Sequence, residues 1–344
     1  MSHLIELTAN AWKQALQGLG KVVNKHNQLP VLSAIRFNRE HGQLHLQVTD
    51  LDRFITHHVR CPGDDVQFLV PFEPLHKAVR DAGKNESVRL VWEGGDEVFI
   101  ESSVAGQMVR QCHEVPYMDD WPSIPDITVE PAPVTDGFKS ALQQALDCSS
   151  RDESRHVLRG ACLDTTSKGD YIVATDGHHL FSANSFRFPH RQPVIIPAHK
   201  FLTWKAFAED GDWDLGVQTG KEVNEVTHVV LQSEHWTYVT RPLEGTYPNW
   251  QQVVPRQSGG TTITLNEEAV TWLQTNLPKL PVADHGPPSV ELAGKDGCLC
   301  VSANSRESGR LELTVPGATV AGPDSTVALD RNFVLKALKF GFAT

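Results

Sequence analysis

The sequence predicts an α+β protein with three similar domains in tandem, in which two helices pack on antiparallel sheets. One observation is a repeated order of elements: helix, hairpin, polar residue, second helix, further strands. A second is spacing, because the predicted hairpin turns recur 127 and 128 residues apart, at Gly42, Gly169 and Gly297. The polar residues that follow recur 126 and 128 residues apart, at Asp50, Asp176 and Asn304. Since such a period corresponds to a whole small domain, we expect domains at 1–128, 129–255 and 256–344.

The first helix of each domain is predicted from apolar residues at helical spacing after a residue that favours helix N-caps. Pro278 falls near the end of the third pattern and is expected to end or kink that helix. The patterns are Trp12, Leu16, Leu19 and Val23 after Thr8 and Asn10; Phe138, Leu142 and Leu146 after Thr135 and Asp136; and Val270, Leu273, Leu277 and Leu280 after Asn266.

Each first helix is followed by two runs of alternating residues, which predict an antiparallel hairpin with one buried face. The runs before the turns are Ile35 to Asn38, Gly160 to Asp164 and Ser289 to Leu292. The runs after the turns are Leu44 to Thr49, Tyr171 to Ala174 and Cys298 to Ser302.

The second helices are predicted at Phe72 to Ala82, His199 to Glu209 and Asp330 to Lys339, each before a glycine. None is apolar all round, so each should pack one face on a sheet. In the first two domains, 42 and 44 residues follow this glycine, whereas the third has only Phe342, Ala343 and Thr344 after Gly341. We therefore expect the third domain to be incomplete, as in a truncated record of a longer chain.

Composition and charge exclude several classes of protein. The net charge of −11 argues against a uniformly basic nucleic-acid binder, but it allows a local basic surface. The start of the chain has no secretory signal, and no apolar run is long enough to span a membrane. The six scattered cysteines are expected to be reduced, so the sequence favours a cytoplasmic protein without membrane contact.

The second helices carry more basic than acidic residues, despite the negative charge of the whole chain. Any one of these residues is also typical of an ordinary solvated helix face, but their recurrence in all three domains favours a shared basic surface. The basic set is Lys77, Arg80, Lys84, Lys200, Lys205, Arg331, Lys336 and Lys339, against Glu73, Asp81, Glu209 and Asp330.

The sequence offers little for catalysis. The adjacent pairs His57-His58 and His178-His179 would point to opposite faces of a strand and could not bind one metal ion together. No zinc, nucleophile-elbow or phosphate-loop motif occurs. We expect no enzyme activity, no cofactor and no metal.

Several segments, in this order along the repeat, resemble the β subunit of bacterial DNA polymerase III, the sliding clamp. The similarity extends from Leu4 to about Leu338. The segments are Leu29–Leu32, Val48–Leu51, Ser154–Gly160, Val173–Leu180 and Leu243–Pro255.

This resemblance implies a homodimeric ring of three-domain chains that encircles double-stranded DNA and acts as the processivity factor of the replicative polymerase. Ring closure would join domain one, near Met108 to Val115, to domain three of the other chain, near Leu277 to Leu280. Helices that line the hole need only modest positive potential toward phosphates. The basic set above would face DNA. Weaker candidates, on or after the first helices, are Lys13, Lys21, Lys25, His26, Lys139 and Arg151. At His26 and Asp152 the family tends to carry other DNA-contacting side chains.

The resemblance also implies a pocket between domains two and three that binds linear peptides of polymerases and the clamp loader. Its residues would be Leu158, Thr175, Gly177, His178, His179, Leu180, Pro248, Gln252 and Val253, with Asp330 and Phe333 from domain three. His179 and Gln252 stand where many relatives carry Arg, which lowers the positive potential at the rim. Read alone, Thr175-Asp176-Gly177 is also typical of a plain turn.

Two functions therefore remain open at this level. One is a replicative sliding clamp. The other is a clamp-like protein, monomeric or paired differently, that binds a partner peptide without encircling DNA.

Overall fold

A computed structural model of the chain describes residues 2–23, 29–166, 168–220, 225–255, 260–281, 287–305 and 309–344. The chain forms two compact units, Met1–Tyr247 and Pro248–Thr344. The first unit therefore contains all of predicted domain one and nearly all of predicted domain two. The boundaries at 128 and 255 stay predictions.

The first unit contains sixteen strands and four α-helices among its described residues. The strands are β1 (His3–Thr8), β2 (Ala34–Glu40), β3 (Gln43–Thr49), β4 (Arg53–Arg60), β5 (Val66–Pro71), β6 (Ser87–Trp92), β7 (Glu97–Val104), β8 (Gln107–Glu114), β9 (Ala132–Val134), β10 (Gly160–Asp164), β11 (Tyr171–Thr175), β12 (Leu180–Ala183), β13 (Val194–Pro197), β14 (Trp213–Thr219), β15 (Val226–Gln232) and β16 (Trp236–Thr240). The helices are α1 (Ala9–Leu19), α2 (Phe72–Asp81), α3 (Asp136–Cys148) and α4 (Lys205–Ala208).

These strands form three antiparallel sheets, and the largest of them joins the two halves of the unit. Its eight strands run in the order β5-β2-β3-β4-β16-β15-β14-β9. The junction is the pair β4–β16, in which Trp236 lies opposite His57 and Thr240 opposite Arg53. The two smaller sheets have the orders β1-β6-β7-β8 and β12-β11-β10-β13.

The predicted first helices are confirmed, together with their caps. The Thr8 hydroxyl accepts a hydrogen bond from the Ala11 amide (3.3 Å), and the Thr135 hydroxyl accepts one from Phe138 (3.2 Å). These bonds satisfy amides that a helix start leaves without a partner. Trp12 and Phe138, one from each helix, are fully buried, so both helices pack on their sheets by the predicted apolar stripe.

Helix α1 also packs against the second half of the unit, at a glycine. A Cβ atom built on Gly18 would lie 2.2 Å from the Trp236 ring and 2.7 Å from the Trp204 ring. Only a residue without a side chain permits this approach. The junction between the halves is therefore made both by the β4–β16 pair and by helix-on-aromatic packing.

The second unit repeats the pattern with six strands and two α-helices among its described residues. The strands are β17 (Thr262–Leu265), β18 (Ser289–Lys295), β19 (Cys298–Ser305), β20 (Gly309–Thr314), β21 (Ala318–Ala321) and β22 (Ser325–Asp330), and the helices are α5 (Glu267–Asn276) and α6 (Arg331–Lys339). The sheets are β17-β21 and β20-β19-β18-β22. The Asn266 side chain caps α5 by accepting from Ala269 (2.9 Å), and α5 gives way to a 3₁₀ turn, Leu277–Lys279, that contains Pro278 as expected.

Three sequence predictions are wrong in detail. The second helix of domain two spans only Lys205–Ala208. The segment before it leaves the helical path because the Phe201 side chain packs in an aromatic cluster with Phe207 and Tyr238 (ring centroids 4.6 and 5.6 Å away). His178 and His179 lie in a turn before β12, not in a strand. Asn304 lies inside β19, opposite Arg310, whereas Asp50 and Asp176 each follow the end of a strand.

No helix in the described part of the chain is both long and apolar enough to cross a bilayer.

Candidate functional site

The predicted peptide-site residues of the first unit lie around the turn that joins β11 to β12. Asp176 organises this turn, because its Oδ1 atom accepts from the amides of His178 (2.8 Å) and His179 (3.0 Å) and bonds to Nδ1 of His179 (2.9 Å). Gly177 has φ +92°, a conformation that side chains disfavour. The interpretation of Thr175-Asp176-Gly177 as a turn is thus confirmed.

Two residues that the sequence interpretation did not assign to the site fix this turn. The Arg155 guanidinium donates to the Asp176 carbonyl, and the Tyr247 hydroxyl accepts from the Thr175 amide (3.0 Å). Burial raises the pKa of Tyr247, so this hydroxyl stays neutral. Both residues lie within the segments that carry the family resemblance. Their place in those segments was the signal that could have identified them from sequence. They connect the 3₁₀ turn His156–Leu158 and the segment before Pro248 to the β11–β12 turn.

The charge of Asp176 is stabilised locally. Burial acts to raise its pKa, but the amides of His178 and His179 and the His179 imidazole outweigh burial and lower it. His179 is therefore engaged with Asp176, while His178 and Gly177 are exposed. The Arg155 guanidinium is also half in solvent and lies 3.5 Å from Asp152.

The apolar members of the predicted site are partly accessible. Leu158, Thr175 and Leu180 are half-buried, each at or beside the end of a strand or 3₁₀ turn. A half-buried leucine beside imidazole and backbone groups can contact an apolar peptide side chain while polar groups orient the peptide backbone. This chemistry is compatible with peptide binding.

The remaining predicted peptide-site residues belong to the second unit. Pro248, Gln252 and Val253 are exposed on and beside the 3₁₀ turn Trp250–Gln252, and Val253 is 70% exposed. Asp330 caps α6 by accepting from the Asn332 amide (2.8 Å), and Phe333 is half-buried on that helix. Asp330 therefore has a structural role as a helix cap, and its predicted role in peptide binding stays a prediction.

The predicted DNA-facing residues of α2 are exposed: Lys77 and Arg80 on the helix and Lys84 just beyond it. Arg80 is paired with Asp81 (3.0 Å). Lys200 and Lys205 are likewise exposed, and Lys205 lies 3.5 Å from Glu209. Exposed pairs of this kind are weak, so they leave these cations able to interact with phosphates.

Lys21 lies close to Lys200, across the junction of the two halves of the unit. Its Nζ atom sits 5.2 Å from the centroid of the Trp204 ring. Burial lowers the pKa of Lys21, and the positive charge of Lys200 lowers it further. Basic groups from predicted domains one and two therefore lie close together here. The sequence had indicated Lys21 only as a weaker candidate for DNA contact.

The other predicted DNA-facing residues have varied surroundings. Arg331 donates to the carbonyls of Leu280 (2.8 Å) and Leu277 (3.4 Å), which engages one nitrogen of its guanidinium. Lys336 is half-buried, and Lys339 and Arg151 are exposed. Lys25 and His26 lie outside the described residues. None of the geometry tests DNA contact, so these assignments stay predictions.

A cluster of metal-ligand type occurs among the described residues at Asp210, Glu234 and His235, whose ligand atoms lie within 4.8 Å of one another. Asp210 already accepts hydrogen bonds from the Ser233 hydroxyl (2.7 Å) and the His235 amide (2.8 Å). These bonds account for the geometry of the carboxylate without an ion.

Comparison with known proteins supports the resemblance. No protein-family model matches the chain. A curated relative from Streptococcus pneumoniae, named Beta sliding clamp, is 21% identical over 359 residues, which cover 97% of this chain and 88% of the relative. A Beta sliding clamp from Pseudomonas aeruginosa is 24% identical over 274 residues, covering 73% and 67%.

Solved structures agree with these relatives along nearly the whole chain. The griselimycin-bound sliding clamp (DNA polymerase III subunit beta) of Pseudomonas aeruginosa superposes with a TM-score of 0.82 at 19% identity, covering 98% of this chain and 89% of that one. The β sliding clamp of Caulobacter crescentus gives a TM-score of 0.81 at 20% identity, with coverage of 98% and 90%. The predicted α+β clamp fold and the predicted resemblance are confirmed.

Proposed function

We propose that this chain, which has the fold of the β sliding clamps over 98% of its length, is itself a DNA sliding clamp. In this proposal two copies form a ring around double-stranded DNA and hold the replicative polymerase on its template. The chain has no catalytic role of its own and acts in the cytoplasm, where bacterial DNA lies.

The observation that carries the proposal is the agreement in fold along the chain, together with the repeated unit. A ring needs similar modules placed one after another, and the sequence repeats its elements with a nearly constant period. A resemblance confined to one domain would not support encirclement of DNA.

The distribution of charge supports the same function. Exposed basic side chains recur on or beside the second helices α2, α4 and α6, in a chain whose net charge is −11. A ring held by topology needs no tight grip on phosphates, and an acidic outer surface keeps it off DNA elsewhere. The proposed DNA-facing residues are those of the basic set, with Arg151 and Lys21.

The proposed partners are polymerase and clamp-loader subunits, which would bind through linear peptides. The β11–β12 turn is proposed to supply part of the docking surface, with Leu158 and Leu180 for apolar anchors and His178 for polar contact. Because Arg155 and Tyr247 hold the turn, the surface is formed before a peptide arrives, which reduces the entropy cost of binding.

The test is primer extension on a primed single-stranded circle with the cognate polymerase, clamp loader and ATP. The chain should increase product length at low polymerase concentration. Leu158→Glu should abolish the increase, because a carboxylate would lie where an apolar anchor docks, whereas Leu4→Glu, at an exposed site in β1, should retain it. If wild-type protein leaves product length unchanged, the proposal fails.

A further inference from the structure

The first unit contains a second concave surface, far along the chain from the β11–β12 turn. Two adjoining cavities of about 590 and 370 Å³ share four lining residues: Asp96, Val115, Pro116 and Tyr117. The larger cavity is also lined by Leu29 and Val31, and the smaller by Phe68 and Trp92. We refer to the two cavities together as the first-domain groove.

One wall of the groove is apolar and rests on a buried hydrophobic cluster. Val31, Leu32, Ala34 and Leu69 form a buried cluster, and Val115, Met118 and Trp121 pack against it. The Val115 amide donates to the Asp96 carbonyl (2.8 Å), which fixes the segment after β8 to the start of β7. The groove is therefore a formed surface between ordered elements.

Large apolar side chains stand exposed beside this wall. Tyr117, which lines both cavities, is 71% exposed, and Leu29 is 50% exposed. Neighbouring apolar side chains left open to water around a concave surface are typical of an interaction site.

The internal repeat gives the groove a counterpart in domain two. The 3₁₀ turns Pro30–Ser33 and His156–Leu158 begin 126 residues apart, the same spacing as Asp50 and Asp176. Leu51 (φ +80°) likewise corresponds to Gly177 (φ +92°). Tyr117 and Tyr247 each precede a 3₁₀ turn, Met118–Asp120 and Trp250–Gln252, in their respective domains.

The charge at the groove differs from that at the β11–β12 turn. Asp96, Glu114 and Asp120 line it, and all three are exposed. No Lys, Arg or His occurs among the described residues that line either cavity. The β11–β12 turn, in contrast, carries two histidines, and the Arg155 guanidinium beside it donates to the Asp176 carbonyl and lies 3.5 Å from Asp152. An acidic rim above an apolar wall complements a segment with basic and bulky apolar side chains.

We propose that the first-domain groove is a second docking site, which binds a linear peptide of a partner protein that carries Lys or Arg beside a leucine or aromatic side chain. The apolar side chain would enter between Leu29 and Tyr117, and the basic group would meet Asp96 or Asp120. Two sites that differ in charge would let one chain hold two different partners. The groove includes Glu114 and Val115, at the end of the segment Met108 to Val115 that is expected near the ring closure, so a second copy is the competing occupant that the test must exclude. The inference does not depend on encirclement of DNA.

The test uses the full chain with ¹⁵N-labelled tryptophan indoles and two fluorescent probe peptides. The basic probe is Gly-Arg-Leu-Phe-Arg-Gly, and the acidic probe replaces both arginines with glutamates. The basic probe should bind about tenfold more tightly, as expected for charge contacts at a solvated rim. It should shift the indole signals of Trp92 and Trp121, identified by Trp→Phe variants, and leave that of the buried Trp213 in place.

Charge reversal provides the matched control. Asp96→Lys with Asp120→Lys should weaken the basic probe about tenfold and favour the acidic probe, since the rim would then be basic. Glu130→Lys with Asp212→Lys makes the same change in net charge at exposed residues outside the groove and should alter affinity less than about twofold.

Three outcomes would overturn the inference. Equal affinity for both probes, or no binding of either probe, would show that the acidic rim does not favour basic peptides. Signal changes confined to other tryptophans would place the peptide elsewhere. A fall in solution mass of the Asp96→Lys, Asp120→Lys variant relative to wild type would show that a second copy covers the groove. The same variant should stay on circular DNA as wild type does, so failure here and failure of the proposed function are separate results.

Discussion

Substitution of Gly18 by alanine tests the junction between the two halves of the first unit. Elsewhere in a helix, Gly→Ala stabilises by up to about 1 kcal/mol, because alanine restricts the unfolded chain and favours the helix. At Gly18 the new Cβ atom would lie 2.2 Å from Trp236 and 2.7 Å from Trp204, whereas ordinary contact begins at 3.4 Å. Both rings would have to retreat, Trp236 by about 1.2 Å.

That retreat is opposed by packing. Trp236 is buried, lies opposite His57 in the β4–β16 pair, and contacts the Phe201 ring (centroids 5.2 Å apart). Overpacking of such a site costs about 3 kcal/mol at the upper end of the usual range. After the helix gain of about 1 kcal/mol, we expect Gly18→Ala to lower the free energy of unfolding by about 2 kcal/mol.

The assay is urea unfolding followed by tryptophan fluorescence, since six of the eight tryptophans lie in the first unit. Gly137→Ala is the matched control, because its Cβ would meet only the Thr135 hydroxyl at 3.6 Å in helix α3. The control should keep or raise the urea midpoint, and Gly18→Ala should lower it. A Gly18→Ala midpoint equal to or above wild type would refute the packing described for this junction.

Three further predictions concern pH, backbone conformation and DNA binding. Burial lowers the pKa of His57 and His58 to about 4, with help from neighbouring histidines. Because the unfolded state then binds more protons between pH 6.5 and 4, the free energy of unfolding should fall as pH falls through that window, by about 1.4 kcal/mol per pKa unit for each group. Urea midpoints at pH 7 and 5 measure this fall, which His57→Leu should reduce; an equal fall in the variant would contradict the assignment. Leu51→Gly should stabilise and Gly177→Ala destabilise by about 1 kcal/mol each, because both backbones have positive φ. Thermal unfolding of the two variants measures these changes in stability. A shift of the melting temperature in the same direction for both variants would contradict the effect assigned to positive φ. Replacing Lys77, Arg80, Lys336 and Lys339 by alanine should weaken retention on DNA and flatten its salt dependence, whereas the exposed controls Lys168→Ala and Lys295→Ala should not. An unchanged salt slope would remove these residues from the DNA-facing surface.

Local features of the fold were predictable from sequence because local interactions determine them. Thr8, Thr135 and Asn266 cap the first helices through their own side chains, so a cap residue before an apolar stripe was a sufficient signal. The hairpin turns at Gly42 and Gly297 follow from positive φ, which glycine favours.

Features that depend on distant residues were not predictable. The helix expected at His199 to Glu209 shrinks to one turn because Phe201 packs on Phe207 and Tyr238. The β4–β16 pair joins strands far apart in the chain, and neither strand indicates its partner by pattern alone. The roles of Arg155 and Tyr247 at the β11–β12 turn likewise appear only when the chain is folded.

We propose that two copies form a ring that holds DNA by enclosing it. The most direct measurement is retention of loaded protein on a nicked circular plasmid through gel filtration at physiological salt, before and after one restriction cut. Protein that encloses DNA should stay with the circle and leave once the DNA is linear. Equal retention on both forms would contradict enclosure and would favour a clamp-like protein that binds partner peptides without encircling DNA.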